Sequence, residues 1–136
     1  MGMTEEIGAQ PAIAERLLRE LPDELASLVA AARDGGIGYV VIAARGSSDH
    51  AAVYAQYVLG ALARLPVALA TPSLFTRYAS PPNLTGALVI GISQSGRSHD
   101  VVAVVEAAHQ RAWGVPAATA MMGGSAGGFT VLGCIG

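Results

Sequence analysis

The chain has 136 residues and a formal net charge of −2, and apolar residues make up 52% of it against 13% charged residues. This composition indicates one globular domain with a sizeable core and argues against a disordered chain. The eight basic residues, all arginine, form no basic patch, so a nucleic-acid partner is not expected, and the single cysteine, Cys134, excludes an internal disulfide.

The first 36 residues predict a helical lead-in. Apolar residues recur at steps of three and four from Ile13 to Val29, which is typical of amphipathic helix over residues 11–34. Pro22, followed by two acidic residues, predicts the start of a new helix, because proline is tolerated in a first helical turn but not inside a helix. We therefore expect a helical pair that ends at Gly35-Gly36. The acidic start of the chain does not resemble a signal peptide, which predicts a cytoplasmic protein.

Apolar strands and helices then alternate along the chain. The pattern predicts strands over 38–44, 66–70 and 86–90, helices over 48–63 and 100–108, and a loop or single helical turn over 72–79. Strands separated by helices of this length imply a parallel sheet with helices on both faces. The expected fold class is therefore α/β, a three-layer sandwich around a doubly wound parallel sheet.

Two of the predicted strands lead into polar turns. Arg45, Gly46, Ser47 and Ser48 follow the first strand, and residues 91–98 read Gly-Ile-Ser-Gln-Ser-Gly-Arg-Ser between a strand and a helix. Neighbouring parallel strands place such turns at one edge of the sheet, so we expect both to surround one ligand. Hydroxyl groups at helix N-termini favour an anion, which predicts a phosphate site.

The serines, arginines and histidines in and near these turns also have other interpretations. A serine at a helix start is most often a cap, and the exposed arginines Arg45 and Arg97 could reach a phosphate but are more commonly solvated. The three histidines have no metal-ligand spacing, so no metal is predicted. Ser95 stands where a nucleophile elbow requires glycine, which argues against a serine hydrolase. The turn at Gly46 lacks the spaced glycines of a dinucleotide site, and no cofactor is expected.

Together these motifs resemble those of the SIS (sugar isomerase) domain. The resemblance rests on Gly-Ser-Ser after the first strand, Ser-Gln-Ser-Gly-x-Ser after the later one, and the intervening Ala70–Thr76, and it covers residues 5 to about 110. It is closest to the isomerase part of the glutamine–fructose-6-phosphate aminotransferase family, with its related isomerases and deaminases. It implies a flavodoxin-like fold and binding of a hexose or hexosamine 6-phosphate. The implied contacts fall on Ser47, Ser48, Ser93, Gln94, Ser95 and Ser98, with Gly46 and Gly96 as supporting backbone.

The last residues of the chain depart from this pattern. No charged residue occurs after Arg111, and glycine becomes frequent. Residues 115–120 make a poor strand, whereas Phe129–Ile135 is a plausible one, and neither the proline nor the paired glycines suit a membrane-spanning helix. We therefore divide the chain into a lead-in (1–36), a SIS core (37–111) and an atypical Gly-rich tail (112–136). The change suggests an incomplete or altered domain end, through truncation or a frameshift.

The resemblance also bears on catalysis. In the family, a glutamate base, a histidine and a lysine come from the second half of the polypeptide and partly from a neighbouring subunit, and this chain contains no lysine. We therefore name no catalytic residue and expect the first SIS half of an isomerase, aminotransferase or deaminase, inactive alone. Its expected partners are a phosphorylated sugar and either a second copy or a C-terminal SIS half, with no membrane. The alternatives are a regulatory phosphosugar-sensing module, which the lack of a helix-turn-helix disfavours, and a fragment without function.

Overall fold

The computed structural model describes residues 2–34, 36–111 and 130–135. Four helices and four strands occur in these ranges. In chain order they are α1 (Met3–Asp34), β1 (Tyr39–Ala44), α2 (Ser48–Leu62), β2 (Val67–Leu69), α3 (Ser73–Thr76), β3 (Ala87–Ser93), α4 (His99–Arg111) and β4 (Thr130–Ile135). The strands form one sheet in the order β2-β1-β3-β4.

Three strands of this sheet run parallel. The central strand β1 pairs in parallel with β2, where Val40 lies opposite Val67, and with β3, where Ala44 lies opposite Ile92. The predicted parallel sheet is confirmed for these strands. The strand expected at Phe129–Ile135 also forms, as β4, but it pairs with β3 in the antiparallel direction. The rest of the predicted tail, residues 112–129, lies outside the described residues.

The core is divided between the two faces of the sheet. Successive residues of a strand point to opposite faces, so Val40 and Ile42 of β1 pack on the side of α2, whereas Val41 and Ala43 pack on the side of α4. On the α4 side the cluster includes Val101, Val104, Val105 and Ala108, and on the α2 side it includes Ala52 with Ala55 and Leu59. Helices therefore cover both faces, as the predicted three-layer sandwich requires.

Helix α1 differs from the expected helical pair. It is a single helix from Met3 to Asp34, and the new helix predicted at Pro22 is wrong. Proline in a helix interior removes one hydrogen bond and crowds the carbonyl four residues before it, but its fixed φ of about −65° is itself helical, and α1 continues through this position. Met3, Ile7 and Leu18 of α1 are exposed, and no α1 residue among those described belongs to either core cluster.

Strand β3 is longer than the sequence suggested. It continues through Gly91 and Ile92 to Ser93, so only residues 94–98 of the predicted octet form the connection to α4. Among the described residues, no helix combines the length and apolar character needed to span a membrane.

Candidate functional site

Two turns meet at one edge of the sheet. The β1–α2 turn comprises residues 45–47, and the β3–α4 turn comprises residues 94–98. Because β1 and β3 are parallel neighbours, with Ala44 opposite Ile92, their carboxyl ends and the turns that follow lie side by side. The two turns line one open cavity of about 230 Å³.

The cavity collects the polar residues singled out in the sequence. Its lining consists of Arg45, Gly46, Ser47, Ser48, Ile92, Ser93, Gln94, Ser95, Ser98 and Val101. All six predicted sugar-phosphate contacts and Gly46 are in this lining, whereas Gly96 supports the β3–α4 turn without lining the cavity. Sites that enclose a whole small molecule usually have roughly 300–1,000 Å³. This smaller cavity is therefore suited to one end of a ligand.

The β1–α2 turn presents a serine hydroxyl that the helix does not use. Gly46 has φ +61°, a left-handed conformation that glycine adopts at low cost, and its carbonyl accepts a hydrogen bond from the Asp49 amide at 3.1 Å. Ser47 occupies the N-cap position of α2, yet its side chain makes no capping hydrogen bond. Capping therefore does not account for this exposed serine.

In the β3–α4 turn the serine hydroxyls are held by backbone amides. The Gly96 amide donates to Ser93 Oγ at 3.2 Å, and the Arg97 amide donates to Ser95 Oγ at 3.1 Å. A hydroxyl has one proton to donate and two lone pairs to accept with. Ser93 and Ser95 act as acceptors here, so each keeps its own proton for another acceptor.

Two helices begin at the cavity. Helix α2 starts at Ser48 and α4 at His99, and the free N–H groups of a helix N-terminus carry a partial positive charge. Each helix also has a carboxylate in its first turn, Asp49 in α2 and Asp100 in α4. Asp100 Oδ2 is 3.0 Å from Arg45 Nε, which links the β1–α2 turn to the start of α4.

The sequence does not predict this ion pair. It marks Arg45 only as a candidate phosphate contact, and it gives no sign of a role for Asp100. No local pattern pairs them, because Arg45 follows β1 and Asp100 lies in the first turn of α4, and only the pairing of β1 with β3 brings these places together. The one available signal was the parallel sheet itself.

The described residues that line the cavity include no carboxylate, imidazole or thiol side chain. His50 and His99 are exposed and lie outside the lining. Across the described ranges, no group of three histidine, cysteine, aspartate or glutamate residues is placed to hold a metal ion. The arrangement offers hydrogen-bond donors, one cation and helix N-termini, which suit the binding of an anion.

Several curated relatives are aminotransferases of one kind. The chain is 38% identical over 80 residues to glutamine–fructose-6-phosphate aminotransferase (isomerizing) of Thermosynechococcus vestitus, a match over 59% of this chain and 13% of that protein. It is 37% identical over 106 residues to the enzyme of the same name from Chlamydia muridarum, over 76% of this chain and 17% of that protein. The chain thus spans less than a fifth of the length of these relatives.

A solved structure and a family model agree with these matches. The crystal structure of a protein described as a phosphosugar isomerase, from Silicibacter pomeroyi DSS-3, superposes with a TM-score of 0.72 at 37% identity, covering 78% of this chain and 32% of that one. The model of the SIS domain matches residues 38–125, well over half of the chain. That range contains both turns and the cavity between them, and the chain belongs to the SIS domain family.

Proposed function

We propose that the cavity binds the phosphate end of a hexose or hexosamine 6-phosphate. The observation that carries this proposal is the convergence of six hydroxyl- or amide-bearing side chains, in or next to two turns, on one small cavity at the start of two helices. A phosphate group presents several acceptor oxygens and a negative charge. Its oxygens can accept hydrogen bonds from the donors that line the cavity, and its charge suits the partial positive charge of the two helix N-termini.

The hydrogen bonds within the β3–α4 turn support this assignment. Because Ser93 Oγ and Ser95 Oγ already accept from backbone amides, their protons are the groups left to contact a ligand. Ser47 adds a hydroxyl that α2 does not use for capping. A cavity lined by hydrogen-bond donors favours an anion, which accepts hydrogen bonds, over a ligand that has to donate them.

The names of the relatives support the sugar part of the ligand. Fructose 6-phosphate appears in the name of the aminotransferases, and the structural neighbour is described as a phosphosugar isomerase. The cavity holds one end of such a molecule, so the sugar would project from the carboxyl edge of the sheet. We assign the chain the role of a first SIS half of an isomerase, aminotransferase or deaminase.

The proposed role of this site is binding without proton transfer. Moving a carbonyl group between C1 and C2 of a sugar needs a base that removes a proton from carbon. In the part of the chain that the structure describes, no carboxylate or imidazole lines the cavity to act as that base. The base would come from a second SIS half or a second subunit, while capture of the phosphate holds the reacting end in place.

The proposal is tested by titrating the 136-residue chain with fructose 6-phosphate and glucosamine 6-phosphate in a calorimeter. The double variant Ser47→Ala with Ser95→Ala removes one hydroxyl from each turn. A hydrogen bond to a charged group contributes roughly 1.5–3 kcal/mol, so we expect the affinity to fall about a hundredfold or more.

Ser80→Ala is the matched control, because Ser80 is an exposed serine outside the cavity. Its affinity should equal that of the unaltered chain, and fructose without phosphate should not bind. A folded chain that gives no heat with either phosphosugar would contradict the proposal, as would an equal loss in the control.

A further inference from the structure

One ion pair joins the two halves of the cavity. Arg45 Nε lies 3.0 Å from Asp100 Oδ2, and the side chains of Arg45 and Asp100 are 59% and 30% exposed. Arg45 lines the cavity, whereas Asp100 lies just outside it, two residues after the lining residue Ser98. The pair therefore connects the rim of the cavity to the start of α4.

The contact engages only part of the guanidinium group. Arginine has five N–H donors, and the pair with Asp100 is made through Nε. The other four N–H groups are on the two Nη atoms. The guanidinium group is planar through its own bonding, so these donors form a fork that can contact two phosphate oxygens at once, and the contact at Nε limits where that fork points.

Arg45 differs from the other charged residues near the cavity in its position. Asp49 and Asp100 stand in the first turns of α2 and α4, so a bound phosphate would be close to two carboxylates. The exposed residues His50, Arg97 and His99 flank the cavity without lining it. Among the described residues that line the cavity, Arg45 is the one with a charged side chain.

We propose that Arg45 is the cationic contact for the phosphate group and that Asp100 positions its guanidinium. This inference rests on the proposed function, because it adds a residue to that binding site. Arg45 contributes charge and a two-point contact that serine hydroxyls cannot provide. Asp100 is a positioning residue that acts only through Arg45.

The first experiment varies the charge of the ligand at one fixed pH near neutrality. Calorimetry with the full chain compares fructose 6-phosphate, which carries nearly two negative charges, with fructose 6-sulfate, which carries one. Arg45→Gln should weaken phosphate binding about tenfold or more, and sulfate binding about threefold.

Two further variants provide the controls for this experiment. Arg97→Gln removes the same charge from the β3–α4 turn, but its side chain does not line the cavity, so its affinity should stay within about twofold of the unaltered chain. Arg45→Lys retains the charge and loses the planar fork, so it should bind phosphate with intermediate affinity. Circular dichroism checks that each variant is folded.

The second experiment separates positioning from a structural effect of Asp100. Asp100→Asn should weaken phosphate binding about threefold or more in the unaltered chain and should not weaken it when Arg45→Gln is already present. If Asp100→Asn acted by destabilising the start of α4, it would weaken phosphate binding both in the unaltered chain and in the Arg45→Gln variant.

Each outcome decides the inference. It is overturned if Arg45→Gln reduces phosphate and sulfate affinity equally, if Arg97→Gln costs as much as Arg45→Gln, or if Asp100→Asn acts equally in both backgrounds. Phosphate binding that needs Ser47 and Ser95 but not Arg45 would overturn this inference alone. No binding of fructose 6-phosphate by the unaltered chain would overturn it together with the proposed function.

Discussion

The conformation of single residues shapes the cavity. Gly46 and Gly96 have φ angles of +61° and +65°. Each lies in a turn that connects a strand to the following helix. Ser93 and Ser95 hold the second reversal through bonds from backbone amides, so the same hydroxyls fix the turn and face the cavity. A change of backbone angle at either glycine would therefore move the donors that we assign to the ligand.

Substituting Gly46 with alanine isolates the cost of its backbone angle. A Cβ atom at Gly46 would meet nothing within 4 Å, so no steric clash contributes. The left-handed conformation costs a non-glycine residue roughly 1–2 kcal/mol, and we expect Gly46→Ala to lower the free energy of unfolding by about that amount. Affinity for fructose 6-phosphate should fall as well. Urea denaturation and calorimetry measure the two effects.

Gly38 provides the matched control for this substitution. It too has open space at the Cβ position, but its φ is not positive. Gly38→Ala should be neutral or should stabilise the protein by about 0.4–1 kcal/mol, because alanine restricts the unfolded chain. Equal free energies of unfolding for the two alanine variants would contradict the prediction that the left-handed conformation at position 46 requires glycine.

At this scale the sequence pointed to the serines but not to the arginine contact. The serines and Gln94 could be recognised because each cluster is local, directly after an apolar strand. The pair between Arg45 and Asp100 depends on the alignment of β1 with β3, which no local pattern encodes. Their binding role stays a prediction that the calorimetric experiments test.

Among the secondary-structure elements, the buried strands and the helices that pack on them were the most predictable. β1 and β3 are short apolar runs with polar turns after them, and α2 and α4 begin at those turns, so local sequence and tertiary structure agree. The break at Pro22 was wrong because the preference of proline for helix starts is statistical, whereas its φ also fits a helix interior. The antiparallel direction of β4 is a property of its pairing with β3, which the residues of β4 alone do not determine.

Helix α4 allows a test of the packing that supports the β3–α4 turn. Val104 is completely buried in the cluster between α4 and the sheet, whereas Val102 on the same helix is half-buried. Val104→Ala removes two methyl-sized groups from a packed core and should cost about 2 kcal/mol of unfolding free energy, with a smaller cost for Val102→Ala. Denaturation by urea compares them. An equal cost would contradict the assignment of the buried face of α4.

For the whole molecule, the cavity lies at the carboxyl edge of the sheet, between the first turns of two helices that pack on opposite faces of the sheet. The unit of β1 and α2 contributes Ser47 and Ser48, and the unit of β3 and α4 contributes Ser95 and Ser98. A ligand that contacts both units would add a link to those already made by strand pairing, by the packing of each helix against both strands, and by the contact of Arg45 with Asp100. Binding should therefore oppose global unfolding as well as order the turns.

Thermal unfolding followed by circular dichroism measures this coupling. A ligand that binds only the folded state at about 100 times its Kd adds about 2.7 kcal/mol to the unfolding free energy, so fructose 6-phosphate should raise Tm on the order of 10 °C. Fructose should leave Tm unchanged because it lacks the anionic end, and the double variant Ser47→Ala with Ser95→Ala should lose the shift. A comparable rise in Tm with fructose would show that the protein binds the sugar ring rather than the phosphate. The assignment of the two turns as the phosphate site would then be wrong.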